Sequence, residues 1–211
     1  MNDFTNLTNV QKDVLREIGN IGAGNAATSM AKLLNKKIDM QVPSVKVVSF
    51  DEVMELIGGP DELIAAVFFR IQGEAPGTVY FILSIEEAEF LVNEIVPGNK
   101  GNLLGESAND FAISALQEAG NILTGSYLSA LSDFTNINMQ PSVPYLSIDM
   151  AGAILTVGLL ELSQVSDYAI IIDTKINEQE DQKGVQGNFL LIPDPASLTK
   201  LFHALGITEY D

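Results

Sequence analysis

Glu17 and Asn20 stand three residues apart, and so do Glu118 and Asn121. On one helix this spacing puts a carboxylate and a carboxamide side by side. Asn is no general base near neutral pH, but it can hold a water through one donor and one acceptor. A carboxamide that orients an attacking water is the device of GTP hydrolysis. The Glu has two options: it can act as a base, or it can anchor a partner's cation. Neither residue can neutralise a transferring phosphoryl group, which takes Lys, Arg or a divalent ion. A solvated helix face also carries such residues, and for a single Glu-x-x-Asn that is the better reading. Two features weigh against it here. Asn is a poor residue for a helix interior, yet it recurs at the matched place. The polar face also keeps its order twice.

That face belongs to two long helices. Val10, Val14, Leu15, Ile18, Ile21 and Leu33 recur at helical spacing and predict a helix over 10–34, with Thr8-x-x-Gln11 as its capping box. At about 100° per residue, Asp13, Glu17 and Asn20 share a wedge roughly 60° wide, while Leu15, Ile18 and Gly22 point away. A second helix is expected over 108–132, starting near Ser107. It places Ser114, Glu118 and Asn121 in one wedge, with Leu116 and Leu123 toward the core.

The remaining elements follow each long helix in the same order. Residues 38–49 are extended around Pro43, 50–57 form a short helix, 63–72 and 77–84 are strands, and 85–96 is a helix. In the second half, 137–148 are extended around Pro144 and 150–162 form a buried helix. Strands at 168–176 and 187–193 and a last helix at 196–205 complete it. A shift of 101 superposes the halves. Leu15, Glu17, Gly19, Asn20, Ile21, Gly24, Asn35, Val42 and Pro43 then fall on Leu116, Glu118, Gly120, Asn121, Ile122, Gly125, Asn136, Val143 and Pro144. Two unrelated helices would not also bring the distant proline into register. The expected fold is α/β (α+β), an internally duplicated α-β-α-β-β-α half with three strands. The two copies, about 8–96 and 107–206, form one domain around a pseudo-two-fold axis. They share a helix-covered sheet, and 97–107 is the linker.

Composition sets the limits. The 211 residues hold 11 Lys+Arg against 28 Asp+Glu, a formal net charge of −17. Phosphate backbones and anionic membrane surfaces are poor partners for such a chain. There is no Cys and a single His, His203, so thiolate sites, disulfides and His-based metal clusters are excluded. The polar start is not that of a signal peptide, and the longest near-apolar run, 150–160, falls short of the ~20 residues of a membrane span. A soluble, cytoplasmic protein is expected. The charge is uneven. Residues 1–105 carry 8 basic against 14 acidic side chains, and 106–211 carry 3 against 14. No Lys or Arg lies between Lys100 and Lys175. If the second copy works on a phosphoryl group, the cation must come from the substrate.

The pattern Asp13-x3-Glu17-x2-Asn20-x22-Pro43, repeated as Ser114-x3-Glu118-x2-Asn121-x22-Pro144, resembles the signature of the CheC/CheX/FliY phosphatases of chemotaxis. The resemblance covers nearly the whole chain. Two motifs, this length and no extra domain of the FliY kind fit the CheC branch, since CheX has one motif. It implies hydrolysis of the aspartyl phosphate of the response regulator CheY-P. Asn20 and Asn121 would orient the water, and Glu17 and Glu118 would pair with the regulator's active-site Lys. Asp13 and Ser114 would support the helix face, and Pro43 and Pro144 would fix the chain after it. No intrinsic cofactor or metal is implied, because the Mg²⁺ belongs to the regulator. The receptor deamidase CheD is implied as a second partner by family alone. The competing reading is a docking module that binds a regulator, the flagellar switch or CheD and catalyses nothing.

Other signals carry less. Gly22-x-Gly24-x-x-Ala27 fits a loose dinucleotide fingerprint but follows a helix, not a strand. The small residues at 19, 22, 23, 26 and 27, and at 119, 120, 125, 126 and 130, read instead as places where another helix comes close. His203 reads as a surface or cap residue. Glu86, Glu87 and Glu89 favour a helix start, and Glu178, Glu180 and Asp181 read as a polar loop.

Overall fold

The structure, a computed structural model, describes residues 8–98, 103–104, 110–162, 168–178 and 184–206. The first half contains α1 (Asn9–Leu34), β1 (Ile38–Gln41), β2 (Val45–Ser49), α2 (Phe50–Leu56), β3 (Leu63–Gly73), β4 (Gly77–Ser84) and α3 (Ile85–Ile95). The second contains α4 (Asp110–Thr135), β5 (Met139–Pro141), β6 (Tyr145–Met150), α5 (Ala151–Leu162), β7 (Tyr168–Glu178), β8 (Gly184–Pro193) and α6 (Pro195–Ala204). The α-β-α-β-β-α order stands, with four strands per half rather than three. Each extended stretch splits at its proline, which has no N–H to give a sheet ladder. The expected helix start near Ser107, most of the 97–107 linker, and Glu180 with Asp181 lie outside the described residues.

The eight strands form one antiparallel sheet in the order β1-β7-β8-β4-β3-β5, with β2 also on β7 and β6 also on β3. Exchanging the repeats reads this order backwards and leaves it unchanged. The registers agree. Val45 pairs with Ile172, and its counterpart Leu146 pairs with Val67. Val67 in turn faces Phe81, while Ile172 faces Phe189. Phe81 and Phe189 are therefore counterparts, and they pair with each other at the centre of the sheet. The pseudo-two-fold passes between them. Each repeat also lends its first two strands to the other: β1 and β2 lie on β7, and β5 and β6 lie on β3.

Strand alternation sorts the core into two faces. Ala65, Val67, Phe69 and Ile71 of β3 join the larger cluster with α1, α3, α4 and α6. Ile64 and Ala66 point the other way, into the cluster with Val53 of α2 and Leu155 of α5. The two long helices thus lie together on one side of the sheet. Their ends are set locally. Thr8 Oγ1 accepts from the Gln11 N–H at 3.3 Å, and Gln11 Oε1 accepts from the Thr8 N–H at 2.8 Å, completing the capping box. At the other end Asn35 adopts φ 51°, and its counterpart Asn136, just past α4, adopts φ 55°. Among the described residues no helix is long and apolar enough to cross a membrane.

Val10 and Ile21 follow the helical spacing of α1 and are exposed, Val10 at 72%. They fall at the edge of the helix face that the partner helix and sheet leave open. Glu178 is the last residue of β7, not a loop residue. Together with Glu94 it holds Lys36, whose ammonium is pushed up to about 12, first by its hydrogen bond to Glu94 and then by that to Glu178. This ties the end of α1 to α3 and to the second repeat. His203 is exposed on α6, as expected of a surface residue.

Candidate active site

Helical geometry delivers the predicted faces. Asp13, Glu17 and Asn20 are exposed on α1, and Ser114, Glu118 and Asn121 are exposed on α4. Leu15, Ile18 and Gly22 are buried behind the first set, and Leu116 and Leu123 behind the second. Among the described residues no hydrogen bond or ion pair engages Glu17, Asn20, Glu118 or Asn121. The four groups are presented to solvent on rigid helices, with their bonding capacity unspent.

The supporting residues divide differently. Asp13 accepts from Arg16 Nη2 at 2.9 Å, one turn away on the exposed face. Asp13, Lys12, Arg16, Pro43 and Ser44 line an open cleft of about 460 Å³ at the start of α1. Pro43 sits between β1 and β2 and so places the cleft's far wall. Ser44 Oγ donates to the Asp173 carboxylate, and the Asp173 N–H donates to the Ser44 carbonyl at 3.0 Å. In the second copy Gln117 Nε2 donates to the Pro144 carbonyl at 3.4 Å, linking the proline segment to α4. The Ser142 N–H donates to the Arg70 carbonyl at 2.8 Å, and the Arg70 N–H to Ser142 Oγ at 3.0 Å. The Arg70 guanidinium donates to Thr78 Oγ1 at 2.9 Å. Arg70 alternates with Phe69 and Ile71, so it lies on the sheet face away from α4. The structure therefore sets three positions of each motif on one helix face, with Pro43 in the same cleft as Asp13 and Pro144 tied to α4 through Gln117, but does not make the two surroundings alike.

The sequence shows the lack of Lys and Arg around the second motif but not the exposure of the apolar side chains beside it. The first site is flanked by Lys12 and Arg16. The second is flanked by apolar side chains: Phe111 is 71% exposed and Val143 68% exposed. Phe111 is the counterpart of Val10, which is 72% exposed, so both helices show an apolar residue one turn before Asp13 or Ser114. The counterpart of Val143 is Val42, buried at 6% against Gly19. Burial of a single valine in one copy alone leaves no trace in the spacing. The exposed pair could have been found, because Val10 and Phe111 match under the same shift.

Among the described residues no group of three or more His, Asp or Glu side chains gathers as a metal site. What the arrangement offers is an amide able to hold a water beside a carboxylate, with no Lys or Arg on the second helix or its proline segment.

The chain matches the CheC-like family over residues 10–47 and 111–148, segments that are themselves related by the 101-residue shift. It is 44% identical over 206 residues to the CheY-P phosphatase CheC of Bacillus subtilis (strain 168), covering 98% of this chain and 99% of that one. It is 26% identical over 146 residues to the flagellar motor switch phosphatase FliY of the same organism, covering 69% of this chain and 38% of that one. The crystal structure of Thermotoga maritima FliY superposes with a TM-score of 0.74 at 20% identity, covering 95% of this chain and 98% of that one. The fold is therefore shared with FliY, and with 44% identity over nearly its full length to a CheC the chain belongs to the CheC-like family.

Proposed function

We propose that this protein hydrolyses the aspartyl phosphate of a response regulator, CheY-P, using two sites. The observation that carries this is the recurrence of a free, exposed Glu-Asn pair on each of two symmetry-related helices. Its membership of a family with a CheY-P phosphatase at 44% identity supports the same reading. Asn20 or Asn121 enters the regulator's acidic pocket and holds a water in line with the phosphorus. The water oxygen bonds to phosphorus as the bond to the aspartyl oxygen breaks. Inorganic phosphate and the free regulator carboxylate are the products. Glu17 or Glu118 anchors the regulator's Lys, and the regulator carries the Mg²⁺. The work of this chain is positioning, which dominates phosphoryl-transfer catalysis. A regulator substrate supports a cytoplasmic location. The receptor deamidase CheD is a second proposed partner, on family grounds alone.

Phosphate release from CheY-P with Mg²⁺ tests this. Wild type is compared with Asn20→Ala, Asn121→Ala and the double variant. Each single variant is expected to keep the rate of the other site, and the double variant to lose about 10²-fold or more, the scale of a lost orienting group. A double variant at the wild-type rate would show that the amides do not orient the water. Binding of the regulator by wild type without any release would favour the docking module.

A further inference from the structure

Apart from the Glu and Asn of the motif, the helix and cap identities shared by the repeats sort by physical cause, and one glycine pair has no cause inside the chain. Leu15 and Leu116 are core. Asn35 and Asn136 take left-handed φ. A Cβ on Gly19 would stand 3.2 Å from Val42 Cγ1, and one on Gly120 2.8 Å from Val67 Cγ1. Gly24 and Gly125 differ from all of these. Neither has a positive φ, and a Cβ on either meets no atom within 4 Å. Glycine weakens a helix interior, and nothing in this chain asks for it at these two places.

Both glycines lie on the site face. Taking Asp13 as zero at 100° per residue, Gly24 falls near 20°, between Asn20 near −20° and Glu17 near 40°. It stands one turn beyond the Asn, about 6 Å along the axis. Gly125 repeats this position on α4 relative to Asn121. A residue without a side chain in the middle of a contact face, exposed at Gly24 and half-buried at Gly125, admits another backbone to van der Waals distance. We propose that Gly24 and Gly125 are positioning residues, flat steps on which the phosphorylated regulator rests so that Asn20 and Asn121 reach the phosphoryl group. This rests on the proposed function above. The asparagine side chain is short, so the depth of docking sets where its amide arrives. A Cβ one turn away would hold the regulator off the helix, and a displacement of about 1 Å can cost about 10²-fold in rate.

The test separates this role from a structural one, because Ala at both positions should stabilise the fold. Gly24→Ala/Gly125→Ala is expected to raise the melting temperature by a few degrees, roughly 2–4 °C per site. Gly24→Leu/Gly125→Leu is expected to fold with at least the wild-type melting temperature and to lose about 10–10² in kcat/KM for CheY-P, with KM rising. Binding of the purified regulator loaded with beryllofluoride and Mg²⁺ is measured beside it and should weaken in parallel. A Leu double variant with wild-type kcat/KM and binding overturns the proposal. So does a fall in melting temperature for the Ala double variant, which would reveal a packing reason for glycine. A wild type that binds the regulator but releases no phosphate refutes the enzymatic reading instead. Weaker binding of the Leu variant in that case would still support the flat step.

Discussion

A Cβ placed on Gly22 would lie 2.5 Å from Tyr127 Cδ1 and 3.1 Å from its Cα. The first atom belongs to a ring packed on Phe189, at 4.6 Å between centroids, with its hydroxyl bonded to Thr174 Oγ1 at 3.0 Å. Burial pushes that phenol up to about 12, with the Thr174 bond acting the other way. Tyr127 therefore cannot swing aside, and the second close atom is backbone. Gly22→Ala is expected to destabilise by about 1–3 kcal/mol, the cost of overpacking, although Ala is the better helix former. Urea unfolding measures it, and an unchanged midpoint would mean that the helices part without cost. The sequence groups Gly19 and Gly22 among the small residues where another helix comes close, yet of these two only Gly22 makes room for the other long helix, and Gly19 faces Val42. Periodicity shows which residues share a face but not what stands opposite, and that is the information one sequence lacks. Asn20 and Glu17 are legible for the opposite reason: they need nothing opposite, so their repetition alone marks them.

At the scale of elements, helix ends were the easiest features to read and strand breaks the hardest. The Thr8-Gln11 box is local chemistry and appears as the residues predict. The split of 38–49 into β1 and β2 depends on which ladder Pro43 would have joined, and that ladder is β7, more than a hundred residues away. Asn35 and Asn136 illustrate a signal whose position was visible and whose meaning was not. Both close a long helix in the left-handed region, where an L side chain is disfavoured and Asn or Gly is tolerated. Asn35→Ala and Asn136→Ala are each expected to cost about 1 kcal/mol. Replacement by Gly at the same sites is expected to be near neutral or slightly stabilising. Unfolding free energies of the four variants check this. Equal losses for Ala and Gly would mean that the amide side chain, not the backbone angle, selects the residue.

At the scale of the molecule, the repeats are interlocked rather than abutted. Each repeat keeps its two longer strands together, while its first two strands cross to the other. Among the described residues the strand pairing at the axis is β4 on β8, and there Phe81 meets Phe189. A duplicated sequence predicts two similar halves and an axis. It does not predict exchange, because pairing within a half and pairing across the axis use the same residues. Exchange also governs the two sites. Asn20 and Pro43 come from the first repeat, but the segment carrying Pro43 is fastened to Asp173 of the second through Ser44. Neither motif is complete in structural terms on half a chain. A chain cut between the repeats should therefore give two fragments that lack stable monomeric tertiary structure, since each leaves β3 or β7 without its edge partners and β4 or β8 without its central one. Mixed in equal amounts, they should recover the near-ultraviolet circular dichroism of the intact protein and elute together at its size. An isolated first fragment that unfolds cooperatively as a monomer would mean that its strands pair at home, and that the crossing of β1 and β2 is not what holds Pro43 beside α1.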